Sequence, residues 1–156
     1  MSNKVVWGSS TWVLFHTIAD MMTDEIFNNE KDNVVSLIKT ICSILPCSDC
    51  SNHATKYLNT INFKNIKNSE DLKKFFLLFH NSVNIRINKR IFTTEELNEK
   101  YKNHDLANII LHFMNVFFVS YYNERMIMYN FNKKSKKNQV YSYLKLINNK
   151  LVSARH

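Results

Sequence analysis

Apolar residues recur along this chain at intervals of three and four, the spacing of one face of an α-helix. Trp12, Phe15, His16 and Ala19 share such a face and predict a first helix over 11–22, with Ser9, Ser10 and Thr11 offering N-cap oxygens. A polar stretch at 23–31 reads as a loop. Val34, Leu37, Ile38, Ile41 and Leu45 then mark a second helix over 32–45. Pro46 disfavours helical geometry at Leu45 and suits the first turn of a new helix, so Cys47 and Cys50 fall in the first turn of a third. A fourth begins near Ser69, with Glu70 and Asp71 at the end that favours negative charge and Leu72, Phe75, Phe76, Phe79 and Val83 as its apolar stripe. His80, Asn84 and Ile87 run beside that stripe, and Asn81 and Asn88 extend the polar patch. Such a helix fits packing at one end and a polar ligand at the other. Thr93-Thr94-Glu95-Glu96 reads as a capping box that opens a short fifth helix carrying Leu97 and Tyr101.

Beyond His104 the character changes. Residues 106–130 read as one long apolar helix and 140–152 as another, with Val140, Tyr143, Leu144, Ile147 and Leu151 in phase. The run Lys133-Lys134-Ser135-Lys136-Lys137 between them reads as a loop. A boundary near residue 104 divides a helical unit, 1–104, from a C-terminal helical extension, 105–156, that packs on it or forms a dimer or partner face.

Composition narrows the class. One Gly and one Pro in 156 residues argue against the many tight turns of an all-β chain. The expectation is therefore all-α. The net charge of +8 permits contact with anions, but the aromatics sit at core spacing rather than among Lys and Arg, so no nucleic-acid partner is expected. The apolar run at 109–122 is too short to span a bilayer, and no apolar leader opens the chain. A soluble, intracellular protein without a transmembrane segment is expected.

Three cysteines, Cys42, Cys47 and Cys50, with one close pair, are no secreted disulfide framework. The Cys47-x-x-Cys50 pair has several readings. A thioredoxin-like site needs a βαβ context that is missing. Haem attachment needs His at position 51, which is Ser. Zinc could draw on Cys47, Cys50 and His53, with His16 or His80 as a fourth ligand, but a second close ligand pair is lacking. The remaining reading is a redox pair at a helix N-terminus, where free N–H groups and the helix dipole favour thiolate. Cys42 reads as a small buried hydrophobe.

Three motifs together resemble a family. Trp7-Gly8-Ser9-Ser10-Thr11-Trp12-x-x-x-His16-Thr17-x-Ala19, then Pro46-Cys47-x-x-Cys50, then His80-Asn81-x-Val83-Asn84-x-x-Ile87-x-Lys89 are similar to the ordered signature of the Erv/ALR FAD-linked sulfhydryl oxidases. The form running from Cys47 through His53 and Tyr57 to Leu58 resembles the versions encoded by large DNA viruses. The resemblance implies a four-helix bundle with a short fifth helix, here followed by additional C-terminal helices. It implies FAD as cofactor and no metal. It also implies a thiol oxidase that makes disulfides in a dithiol protein while O₂ becomes H₂O₂. Cys50 would be the sulfur nearer the flavin, and Cys47 the outer one that meets substrate. Trp12, His16, His53, Tyr57, His80, Asn81, Val83, Asn84, Ile87, Lys89 and Tyr101 would bind the cofactor.

The chain departs from the family pattern at Ser9, Leu45, Asn88 and Arg90. No second cysteine pair is present to act as a shuttle, so a separate dithiol protein is expected to dock directly. A homodimer is expected. The setting would be host cytoplasm or virion for a viral enzyme, or the mitochondrial intermembrane space for a cellular one. The alternative is a non-enzymatic helical zinc or interaction module with a structural Cys-x-x-Cys.

Overall fold

The computed structural model describes residues 3–118 and 127–154, with side chains over 6–118 and 131–154. The described residues form seven helices and one 3₁₀ turn, with no strand among them, as the sparse Gly and Pro implied.

Helix α1 (Asn3–Met21) starts well before the expected residue 11. Ser10 and Thr11 do not cap it. Their hydroxyls donate back to the Trp7 carbonyl at 3.0 and 2.7 Å, the mid-helix habit of such side chains. Helix α2 (Asp24–Ser43) also starts earlier than expected and takes in the supposed loop. Thr23 is its N-cap, accepting the Ile26 N–H at 3.2 Å, and Asp24 and Glu25 fill the first turn. The polarity of 23–31 belongs to the exposed face of a helix that buries Phe27.

Helix α3 (Ser48–Asn59) follows Pro46, and a 3₁₀ turn (Phe63–Asn65) leads on toward α4 (Ser69–Arg86). Asn68 caps α4 by accepting the Asp71 N–H at 2.8 Å. The Asp24 carboxylate accepts both the N–H and the hydroxyl of Ser69, at 2.9 and 2.7 Å, and so ties the start of α2 to the start of α4. Those two bonds hold the Asp24 carboxyl below its usual range. Helix α5 (Thr94–Lys100) has Thr93 at its N-cap, accepting the Glu96 N–H at 3.2 Å, as the capping box predicted.

The C-terminal helices are divided differently from expectation. Helix α6 (Leu106–Phe117) stops at Phe117 rather than residue 130, and 119–126 lie outside the described residues. Helix α7 (Ile127–Ser153) begins well before residue 140, so the lysine run at 133–137 is helical, not a loop. The charge lies along aromatic faces there: Lys133 Nζ stands 4.8 Å from the Phe117 ring centre, and Lys137 Nζ 6.0 Å from that of Phe118.

Helix α1 packs on α4, α2 on α3, α6 along α1, and α7 along α2. Asp20, near the end of α1, pairs with His104 just before α6 and with Lys73 of α4 at 3.1 Å. Helix α6 therefore starts at the end of α1 and runs back along it. Lys150 of α7 lies 4.0 Å from Glu30 near the start of α2, so α7 runs antiparallel to α2. The core is continuous from Leu14, Ile18, Val34 and Ile41 to Phe113, Phe117, Val140 and Leu144. No described helix is long and apolar enough to cross a membrane.

Candidate functional site

Pro46 ends the run from α2, and the chain turns at Cys47. Cys47 is extended, with φ −148° and ψ 114°, and serves as the N-cap of α3: its Sγ accepts the Cys50 N–H at 3.2 Å. A sulfur thus takes the place of the oxygen that usually caps a helix, where N–H groups and the dipole favour negative charge. The Ser51 hydroxyl oxygen accepts the buried Leu45 N–H at 2.8 Å and folds the Leu45–Pro46 turn back on α3. The cysteine pair is held from both sides of the turn.

Cys50, one turn in, lines a cavity of about 970 Å³ between α1, α3 and α4. Its walls are largely aromatic. Trp12 and His80 stack at 4.1 Å with rings 4° from parallel, and Tyr57 stacks on Phe79 at 4.9 Å and 7°. His53, Val83, Asn84, Ile87 and Tyr101 also face it. Arg86, Lys89, Arg90 and Lys100 ring one side, and no carboxylate is among the described lining residues. Flat ring walls with a cationic rim suit a ligand that has both aromatic rings and a phosphate chain.

Two expected cofactor residues stand behind the wall. His16 Nε2 is 2.8 Å from His80 Nδ1, and the His16 ring stacks on Tyr101 at 4.5 Å, but His16 lines a smaller cleft of about 320 Å³ on the other side, with Asp20, Lys73 and Leu97. Burial is the main force pushing His16 down to about 3, helped by the charges of His80 and Lys100. Burial likewise holds His80 at about 4, helped by Lys100 and Lys89. Both rings are neutral near neutral pH, so one nitrogen of each can donate and the other accept. Asn81 faces the chain instead: its amide accepts the Phe92 N–H at 2.8 Å and donates to the Phe92 carbonyl at 2.9 Å.

Asn81 shares this work with Asn84, which donates to the Arg90 carbonyl at 3.0 Å and accepts the Lys89 N–H on its own carbonyl at 2.7 Å. The two asparagines shape the loop after α4 and so place the cationic rim. Asn88 sits in that loop with φ 58°, the left-handed conformation. Arg90 is partly engaged, pairing with Glu96 at 2.7 Å. Cys47 does not line the cavity; it caps the helix that carries Cys50, three residues before it.

Sequence reasoning passed over Arg86, Phe92 and Lys100, which line the cavity from the end of α4, from the loop after it and from α5. Their signal was weak: each is a lone charged or aromatic residue beside a named one. Cys42 also reaches the cavity from α2, fully buried, and burial pushes its thiol up to about 12. Among the described residues no group of three or more His, Cys, Asp or Glu is placed to hold a metal ion.

The model of the Erv1 / Alr family matches residues 9–102. Curated proteins similar to the chain include the FAD-linked sulfhydryl oxidase of African swine fever virus (isolate Warthog/Namibia/Wart80/1980). It is 35% identical over 103 residues, which cover 66% of this chain and 86% of that protein. The putative FAD-linked sulfhydryl oxidase 347L of Invertebrate iridescent virus 6 is 34% identical, covering 62% and 93%. The mitochondrial FAD-linked sulfhydryl oxidase ERV1 of Saccharomyces cerevisiae is 24% identical, covering 61% and 50%. No solved structure matches.

Proposed function

The chain belongs to the Erv1/Alr family, and from that premise we propose that Cys47 and Cys50 are the redox pair of an FAD-linked sulfhydryl oxidase, with FAD held in the cavity between α1, α3 and α4. The enzyme is a flavin-linked thiol oxidase with O₂ as acceptor. The single observation that carries the site is the place of the pair: Cys50 opens into the aromatic cavity, and Cys47, the N-cap of the same helix, accepts the Cys50 N–H on its Sγ.

The cavity fits the cofactor on its own chemistry. Its volume is at the upper end of the range for ligand pockets, roughly 300–1,000 Å³. Trp12, His80, Tyr57 and Phe79 offer flat faces to ring systems, and Val83 and Ile87 offer apolar edges. Arg86, Lys89 and Lys100 offer charge to a diphosphate. His16 acts through His80, and Asn81 through the Phe92 loop. FAD, when bound, supplies the electron acceptor for the cysteine pair and the route to O₂.

The protein's own part is disulfide exchange. A substrate thiolate attacks Cys47 Sγ, a mixed disulfide forms, and Cys50 leaves as a thiolate. The second substrate thiolate then attacks the substrate sulfur of that bond and expels Cys47, so substrate is oxidised and the pair is reduced. The Cys50 N–H aimed at Cys47 Sγ stabilises the expelled charge.

A thiol substrate follows from the activity. Its bearer is a separate dithiol protein, because the remaining cysteine, Cys42, is buried. A homodimer would use exposed apolar residues such as Leu78 and Ile85 of α4, since α6 and α7 cover α1 and α2. The viral relatives favour infected-cell cytoplasm or virion over mitochondria as the setting. Replacing Cys47 or Cys50 with Ser should abolish dithiol-driven peroxide release while bound FAD stays at wild-type stoichiometry. Sustained peroxide release from either variant contradicts the assignment.

A further inference from the structure

Charge is spread unevenly over this molecule. Of its 21 Lys and Arg residues, six stand on α7, which has no Asp or Glu, while the other 15 accompany all 13 carboxylates. Lys133 is buried and Lys136 half-buried, but Lys134, Lys137, Lys145 and Lys150 are exposed. Lys134, Lys137, Tyr141 and Lys145 follow one another at helical spacing and form one stripe, with Tyr141 half exposed within it. The opposite stripe of α7, Val140, Leu144, Ile147 and Leu151, is packed into the core and is not available to a bilayer.

The position of the cationic stripe follows from the antiparallel packing on α2 fixed by Lys150 and Glu30. Both helices rise equally per residue. Counting equal steps back from Lys150 and forward from Glu30 brings Lys137 level with Ser43, the last residue of α2. The lysines at 134–137 therefore stand near the end of α2 that leads on through Ile44, Leu45 and Pro46 to Cys47. That approach has little negative charge of its own: between Asp32 and Glu70 the sole carboxylate is Asp49, against Lys39, Lys56, Lys64 and Lys67.

We propose that the N-terminal half of α7, with Lys134, Lys136 and Lys137, is the docking surface for the electron-donating dithiol protein, and that this donor carries acidic residues around its cysteine pair. The proposal rests on the oxidase reading and deepens it by giving the donor a chemistry. A cationic field beside the attacked sulfur raises the encounter rate of a negatively charged partner, by about 10- to 1,000-fold for steered associations. The gain shrinks with salt, because the charges are at the surface. It does nothing for a small uncharged dithiol, which reaches Cys47 by diffusion alone.

The test uses the full chain loaded with FAD and three substrates. These are dithiothreitol and two synthetic peptides that share one Cys-Gly-Pro-Cys core, flanked by Asp and Glu in one and by Lys in the other. The acidic peptide should be oxidised with a kcat/KM about tenfold above the basic one at low salt. The combined variant Lys134→Glu, Lys136→Glu, Lys137→Glu should lose that preference, as should high salt, while oxidation of dithiothreitol stays unchanged and reports an intact site. The corresponding Gln variant should fall between. Equal use of the two peptides by the wild type, or a preference that survives the Glu substitutions, overturns the proposal. So does lysine-dependent retention of a single-stranded oligonucleotide with no peptide preference. Failure to oxidise dithiothreitol would remove the oxidase reading and this proposal with it. Oxidation of dithiothreitol without charge preference removes this proposal alone.

Discussion

His16 and His80 show how one residue type takes different work on the two sides of a wall. His80 faces the cavity under Trp12, and His16 stands behind it, joined through a bond between ring nitrogens. Both are held neutral by burial, and this has a consequence for stability. In the unfolded chain each ring takes its proton near pH 6.5, but in the folded protein only at about 3 and 4. Falling pH therefore protonates the unfolded chain first. The stability that the pair contributes is complete above pH 6.5 and is lost as pH falls toward about 4 for His80 and about 3 for His16. The melting temperature should fall over that window, and the fall should be shallower in His16→Gln, which has one ring fewer to protonate. Parallel slopes for the two proteins would show that His16 is not buried in this way. The nearby Cys42 illustrates the opposite fate of a titratable group. Its thiol is pushed up to about 12 by burial alone and is inert at neutral pH, although it reaches the same cavity as Cys50.

At the scale of elements, what could be read in advance followed from local chemistry. The α4 stripe, the Thr93 cap and the turn at Pro46 all rest on short-range rules, and each was legible in the residues. The starts of α1 and α2 were not, for physical reasons. Ser10 and Thr11 are cap formers by type, yet inside a helix they satisfy themselves on the Trp7 carbonyl. The stretch 23–31 is polar because most of it faces water, and the signal for its helix lay in Thr23-Asp24-Glu25 rather than in apolar period. The lysine run of α7 hid a helix because the aromatic faces that support Lys133 and Lys137 come from distant residues. At the site, the sulfurs, the rings and Lys89 were legible, and the rest of the cationic rim was not, because Arg86 and Lys100 are lone charges on helices and Arg90 sits in a loop shaped by Asn81 and Asn84 whose path no motif spells out. That loop gives an element-scale prediction. Asn88 holds φ 58°, where a Cβ costs about 1–2 kcal/mol in residues that cannot bond locally. Asn88→Ala should lower stability in urea by about 1 kcal/mol, and Asn88→Gly should cost nothing. Equal stability of the Ala and Gly variants would mean that the left-handed turn is not kept.

At the scale of the molecule, the seven helices of the described residues divide into those that build the cavity and those that cover the structure around it. Helices α1, α3 and α4 supply the walls, α2 delivers the chain to Cys47, and α5 adds Lys100 and Tyr101 to the rim. Helices α6 and α7 lie beyond the family match and pack along α1 and α2, and Cys47 and Cys50 are partly buried against the same continuous core. On the reading proposed above, electrons would enter at Cys47 and pass to Cys50, and a flavin held by the adjoining cavity would supply their acceptor. The direct measurement is the visible spectrum of the purified protein, titrated with dithiothreitol in the absence of air and then exposed to it. The account predicts a flavin band that bleaches with the dithiol and returns with oxygen in the wild type, and a band that is present but does not bleach in Cys50→Ser. A colourless protein that takes up no FAD, or full bleaching in Cys50→Ser, would contradict it.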